Sequence, residues 1–116
     1  MKEDKIRLLH ILDAIQEIEA YLDNQSFPTF IENSMMKFAC VKQLEIIGEA
    51  CNHISPQLQQ QLQEIEWKQI IGMRNLFVHE YFGIDSNIVW DIIQNDIPDL
   101  KTKILSILDS PQISHQ

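Results

Sequence analysis

The sequence predicts an all-α domain, and three observations carry that expectation. Apolar residues recur at helical spacing over long stretches. Only three glycines and four prolines punctuate 116 residues, so long segments run without a breaker. Hydrophobic residues make up 45% and charged residues 22%, the balance of a chain that can bury a core rather than stay disordered. This length suits one domain, expected over residues 1–109, with a frayed tail over 110–116.

The first helix is expected from about Glu3 to Asp23, with a stripe of Ile6, Leu9, Leu12, Ile15 and Leu22 and with Leu8, Ile11 and Ile18 beside it. Asn24, Gln25, Ser26 and Pro28 end it, and Phe27, Phe30 and Ile31 form a short apolar clamp. Asn33 or Ser34 caps a second helix that runs to about Ile54, where Ser55-Pro56 stops it. Its Cys40, Leu44, Ile47, Cys51 and Ile54 alternate steps of four and three, the seam of two packed helices. Gly48 interrupts this strong helix at a cost of roughly 1 kcal/mol relative to alanine, which a close helix–helix approach explains.

A short, glutamine-rich surface helix follows from Pro56 to Glu64, anchored by Leu58 and Leu62. A third helix starts near Glu66 or Trp67 and is expected to reach about Tyr81, before Gly83. Asp85 or Ser86 caps a fourth, built on Ile88, Val89, Ile92 and Ile93. Pro98 interrupts that pattern; Asn95 or Asp96 can cap a new turn with Pro98 in its first turn, so a kink or restart is expected there. The last segment carries Leu100, Ile104, Leu105 and Leu108 and ends before Pro111.

Composition narrows the function. Cys40 and Cys51 lie about three turns apart on one helix, too far to bridge, and read as buried thiols of a reducing cytoplasm. The charged start MKEDKIRLLH is unlike a signal peptide, and no apolar run approaches the roughly 20 residues that cross a bilayer. A cytoplasmic location without membrane contact is therefore expected. The net charge of −8 argues against a nonspecific DNA or RNA coat protein, and any RNA contact must be local. No histidine or cysteine pair has metal-ligand spacing and no glycine-rich phosphate loop is present, so neither metal nor cofactor is expected. His115 falls in the tail, and His10 and His53 stand singly in helical segments, where ordinary roles are expected.

His79 differs in its company, Arg74-Asn75-Leu76-Phe77-Val78-His79-Glu80-Tyr81. At about 100° per residue, Asn75 and His79 share a face, as do Arg74 and Tyr81, while Arg74 and His79 point about 140° apart. Either the helix ends near His79 and swings it round, or the site combines residues of two subunits. A twofold dimer along this helix, the preferred arrangement, sets two Arg/His pairs around one cleft. A histidine that titrates near neutrality can take a proton from a ribose 2′-hydroxyl or return one to the leaving oxygen, and an arginine fork can hold the phosphate charge. From spacing alone, an Arg–Glu structural network with a histidine near a helix end is the more ordinary reading. Glu45 and Glu49, one turn apart on the second helix, are the possible partners of Arg74.

Arg-x4-His-x-Tyr resembles the Arg-x4–6-His motif of HEPN domains, in the form found in HepT-like toxins. LEIIGEA at Leu44–Ala50, WKQIIGMRN at Trp67–Asn75 and IVWDIIQNDIPDLK at Ile88–Lys101 resemble that family too, in the same order. The resemblance implies an up-and-down bundle of four to five helices, kinked or broken near Pro98. It also implies a homodimeric, metal-independent ribonuclease toxin acting on RNA, with tRNA a candidate substrate. Its partner would be a minimal nucleotidyltransferase antitoxin that attaches AMP to the motif tyrosine. Carried over by position, Arg74 and His79 are catalytic, Tyr81 is the modified residue, and Asn75 supports the site. The alternatives are a non-catalytic helical partner and substrate of such a transferase, or a nucleotide-binding module using Arg74, Tyr81 and Trp67.

Overall fold

The computed structural model describes residues 2–75 and 85–114. Every regular element among them is helical: α1 (Lys2–Tyr21), α2 (Phe27–Glu32), α3 (Ser34–Asn52), α4 (Pro56–Gln61), α5 (Trp67–Gly72), a 3-10 turn (Met73–Asn75), α6 (Ser86–Asp91), a π-helical segment (Ile92–Asp96), α7 (Ile97–Leu108) and α8 (Pro111–Ser114). Four bundle elements stand out: α1, α3, α5 with its 3-10 turn, and the rod from Ser86 to Leu108. The short helices fill the joints, which gives the all-α bundle expected from the sequence. No helix among the described residues is long and apolar enough to cross a membrane.

The buried face of α1 is Leu8, Ile11, Ile15 and Ile18, all essentially without solvent contact. This corrects the stripe expected from the sequence, because Ile6 and Leu9 are 45% and 41% exposed. The reason is rotational. Steps of three residues fall behind by about 60° each, so Ile6, Leu9 and Leu12 precess off the face that Ile15 occupies, whereas alternating steps of three and four stay on it. Asn24, at φ 60°, turns the chain after α1, a conformation that asparagine tolerates better than most residues.

Ser26 caps α2 by accepting from Thr29 N–H, with Pro28 in the first turn where its missing N–H costs nothing. The apolar clamp expected here is this helix. Phe30 is fully buried, and its ring lies 5.1 Å from that of Trp90, with Phe27 at 5.5 Å from the same indole. Ile31 is left exposed. Asn33 caps α3 through Met36 N–H at 2.9 Å.

The seam expected on α3 is present: Cys40, Leu44, Ile47, Cys51 and Ile54 are buried, together with Val41. α3 runs antiparallel to α1, since Asp4 at the start of α1 meets Ser55 just beyond α3, and Tyr21 at the end of α1 meets Gln43. The buried Asp4 carboxylate accepts from Ser55 N–H at 2.9 Å and from its hydroxyl at 2.7 Å, and Ser55 Oγ in turn accepts from Leu58 N–H to cap α4. Gln59 donates to the carbonyls of Cys51 and Ile54, closing orphan acceptors at the end of α3.

The irregularity expected near Pro98 takes the form of a π turn rather than a newly capped helix: Asp96 and Ile97 keep right-handed helical dihedrals, and Asp96 makes no side-chain cap hydrogen bond. Proline lacks the N–H for the carbonyl four residues back and crowds it, and the π turn over Ile92–Asp96 accommodates the loss. Asn95 instead folds back, donating to the Asp91 carbonyl at 3.1 Å and carboxylate at 2.7 Å. At the C-terminus, where fraying is expected, Pro111–Ser114 form a last turn that buries Ile113. α7 is tied to α1 by Lys101 and Glu19 at 2.9 Å.

Candidate functional site

Position 48 decides how α3 and α5 meet. A β-carbon on Gly48 would lie 2.7 Å from Arg74 N, 2.9 Å from the Ile70 carbonyl oxygen and 3.1 Å from that of Ile71. Those are backbone atoms, which cannot swing aside as a flexible side chain does. The glycine therefore lets the end of α5 lie directly on α3, as its place in a strong helix leads one to expect. α5 stops as an α-helix at Gly72 and tightens into the 3-10 turn Met73–Asn75, with Met73 buried and Arg74 turned partly outward.

The third helix expected from Glu66 or Trp67 begins as foreseen, but within the described residues it is α-helical only to Gly72. A 3-10 turn advances about 120° per residue rather than about 100°, so angles drawn on a straight α-helix do not carry through Arg74 and Asn75. His79 and Tyr81 lie outside the described residues, as does the remainder of that expected helix to Gly83. Asn75 ends the 3-10 turn and is exposed.

Arg74 meets one of its two expected partners among the described residues. Its Nη1 lies 3.6 Å from Glu49 Oε2, a charge contact too long for a strong hydrogen bond. Glu45, one turn back on α3 and half-buried, forms no ion pair with it there. The other Glu49 oxygen, Oε1, lies 3.4 Å from His53 Nδ1, and that same ring nitrogen is 2.9 Å from the Glu49 carbonyl oxygen. One carboxylate thus links a guanidinium and an imidazole. The side chains are 37% (Arg74), 55% (Glu49) and 47% (His53) exposed, so such pairs stabilise the fold by no more than about 1 kcal/mol. Their value lies in orientation.

Sequence reasoning set His53 aside as a solitary residue. The available signal was its spacing from Glu49, i and i+4 on one helix, where side chains are neighbours. What the spacing could not supply was Arg74, which arrives on the same carboxylate from α5.

A separate cleft of about 340 Å³ lies between α5 and the rod that follows, walled by Ile65, Ile70, Met73, Ile97 and Leu100. Asp96 stands at its edge, its carboxyl raised above the usual range by burial, with Asp91 and Asp99 adding repulsion. Arg74 does not line this cleft.

A family model described as ribonuclease HepT-like matches residues 11–107, from the middle of α1 to the end of α7. The chain is 35% identical over 102 residues to a protein of Thermococcus cleftensis named a probable ribonuclease HepT, covering 88% of this chain and 93% of that one. It is 34% identical over 108 residues to a candidate RNase of Caldanaerobacter subterraneus subsp. tengcongensis, covering 93% and 96%. A Methanocaldococcus jannaschii protein named as both a γ-glutamylcyclotransferase and a candidate RNase is 34% identical over 108 residues. That match takes 93% of this chain but only 49% of the relative, so the chain spans about half of that protein's length. No solved structure matches the chain. With a family match over most of its length and relatives of this identity, the chain belongs to the HepT-like ribonuclease family.

Proposed function

We propose that this protein is the ribonuclease toxin of a toxin–antitoxin pair, a metal-independent enzyme that cuts RNA with Arg74 and His79 at the cleft of a homodimer. The observation that carries the proposal is the placing of Arg74: a partly exposed guanidinium, set on a tight turn against Gly48 and braced by Glu49. An arginine held this way can meet a phosphodiester and offset the charge that grows as the 2′-oxygen attacks phosphorus. His79 supplies the proton transfer that the attack or the leaving group requires. Asn75 supports the motif, and tRNA is the first RNA to test.

The homodimer draws support from large apolar side chains left on the surface. Phe38 and Ile46 are exposed on the same side of α3 as Glu49, and Met35, about one turn before Phe38, is 82% exposed. A second copy covering such a face removes it from water. The partner in the pair is a minimal nucleotidyltransferase, and Tyr81 is the residue it adenylylates. An AMP group on the motif tyrosine adds bulk and negative charge, which opposes binding of an anionic RNA.

In the test, purified protein is incubated with total tRNA in EDTA. The parent cleaves it, and Arg74→Ala and His79→Ala each lose about 10²-fold or more in rate while retaining helical circular dichroism. Variants that cut as fast as the parent would refute the catalytic assignment.

The net charge of −8 favours a second reading, a non-catalytic helical partner that serves as the transferase's substrate. Co-expression with the transferase followed by intact mass measurement separates the two. Adenylylated protein whose unmodified form never cuts RNA supports the second reading.

A further inference from the structure

We infer that His53, anchored through Nδ1 on Glu49 while Glu49 reaches Arg74, is a second proton-transfer residue of the ribonuclease site. This rests on the ribonuclease reading above and adds to it a group outside the family motif.

The argument begins with what surrounds the ring. Both groups within reach of Nδ1 are acceptors, the Glu49 carbonyl oxygen at 2.9 Å and its carboxylate Oε1 at 3.4 Å. Nδ1 must therefore carry a hydrogen and donate it. In the neutral ring this leaves Nε2 with its lone pair, and among the described residues nothing occupies that atom. A histidine whose one nitrogen is held by a carbonyl and a carboxylate, and whose other is open, is arranged as a base. The residue is 47% exposed at the C-terminal end of α3, so a substrate can approach it. Among the described residues, the charged groups in contact with it are Glu49 from its own helix and, through Glu49, Arg74 from the turn after α5; the Asp4 carboxylate is occupied by Ser55.

The chemistry of strand scission calls for two proton transfers. The 2′-hydroxyl proton passes to His53 Nε2 as the 2′-oxygen bonds to phosphorus. The bond between phosphorus and the 5′-oxygen then breaks, and that oxygen takes a proton from the imidazolium of His79. The products are a 2′,3′-cyclic phosphate and a 5′-hydroxyl, and exchange with water restores both rings. Arg74 holds the phosphate, with Glu49 setting the guanidinium and the base on a common support. Glu49 is a positioning residue in this arrangement, acting through both neighbours.

The test is steady-state cleavage of a short RNA by the full chain, parent against His53→Ala, across a pH series. The expected result is a fall in kcat of about 10²-fold with KM changed little, loss of the rising limb of the pH–rate profile, and partial rescue by added imidazole. Should His53→Ala lose helicity, His53→Gln, whose amide can still donate to the Glu49 carbonyl, gives the same comparison in a folded chain. Unchanged kcat and pH profile in a folded variant overturn the inference while leaving the Arg74 assignment intact, provided the parent cuts and Arg74→Ala does not. A parent that cuts no RNA overturns the ribonuclease reading and this inference together.

Discussion

A β-carbon at position 48 has nowhere to go, and this single contact sets the site. Its nearest neighbours are the backbone nitrogen of Arg74 and the Ile70 carbonyl, both under 3.0 Å from where it would stand. Gly48→Ala gains helix propensity of roughly 1 kcal/mol yet forces α5 off α3. The net destabilisation expected is about 1–3 kcal/mol, read as a lower midpoint in urea. Because the displaced atom belongs to Arg74, cleavage should fall by more than stability alone accounts for, even where the variant remains folded. Gly48 was legible in the sequence as an interruption that needed a close approach. His53 was not, because its significance depends on a guanidinium delivered by an element more than twenty residues later in the chain.

At the scale of elements, α3 is the axis of the molecule and the part that the sequence described best. Its seam alternates steps of four and three, which admit one buried face, and Cys40 and Cys51 lie on it. Burial pushes the Cys40 thiol up to about 11 and the Cys51 thiol up to about 12, so neither forms thiolate near neutral pH. A disulfide reagent at pH 8 should therefore leave both cysteines unreacted in the native protein and modify both once urea unfolds it. Rapid reaction of the native chain would mean that α3 opens far more readily than this packing implies. α1 was harder to read, since apolar residues cover much of its circumference and two stripes competed. The rod from Ser86 to Leu108 shows a different ambiguity. Pro98 signals irregularity but not its form, and Asn95 and Asp96, plausible caps by type, sit inside a π turn that keeps the helix whole. The 3-10 turn at Met73–Asn75 left still less trace; it lies where the Arg74 backbone packs on Gly48 of α3, a contact that no local pattern reveals.

For the whole molecule, the decisive quantity is charge. With −8 overall, the protein repels RNA at a distance, so recognition has to come from a small cationic centre and from shape rather than from a basic footprint. Arg74 is suited to that task because one carboxylate braces it without burying it. The family assignment makes the protein a ribonuclease, and the Arg74 site is the part that experiment has to test. The most direct measurement is cleavage of one RNA in EDTA, with and without a single 2′-deoxy substitution at the cut site, by the parent and by Arg74→Ala. Cutting of the all-ribose strand by the parent alone, with a 2′,3′-cyclic phosphate end, is the expected result. Cutting of the deoxy-substituted strand at the same bond, or full activity in Arg74→Ala, would contradict it.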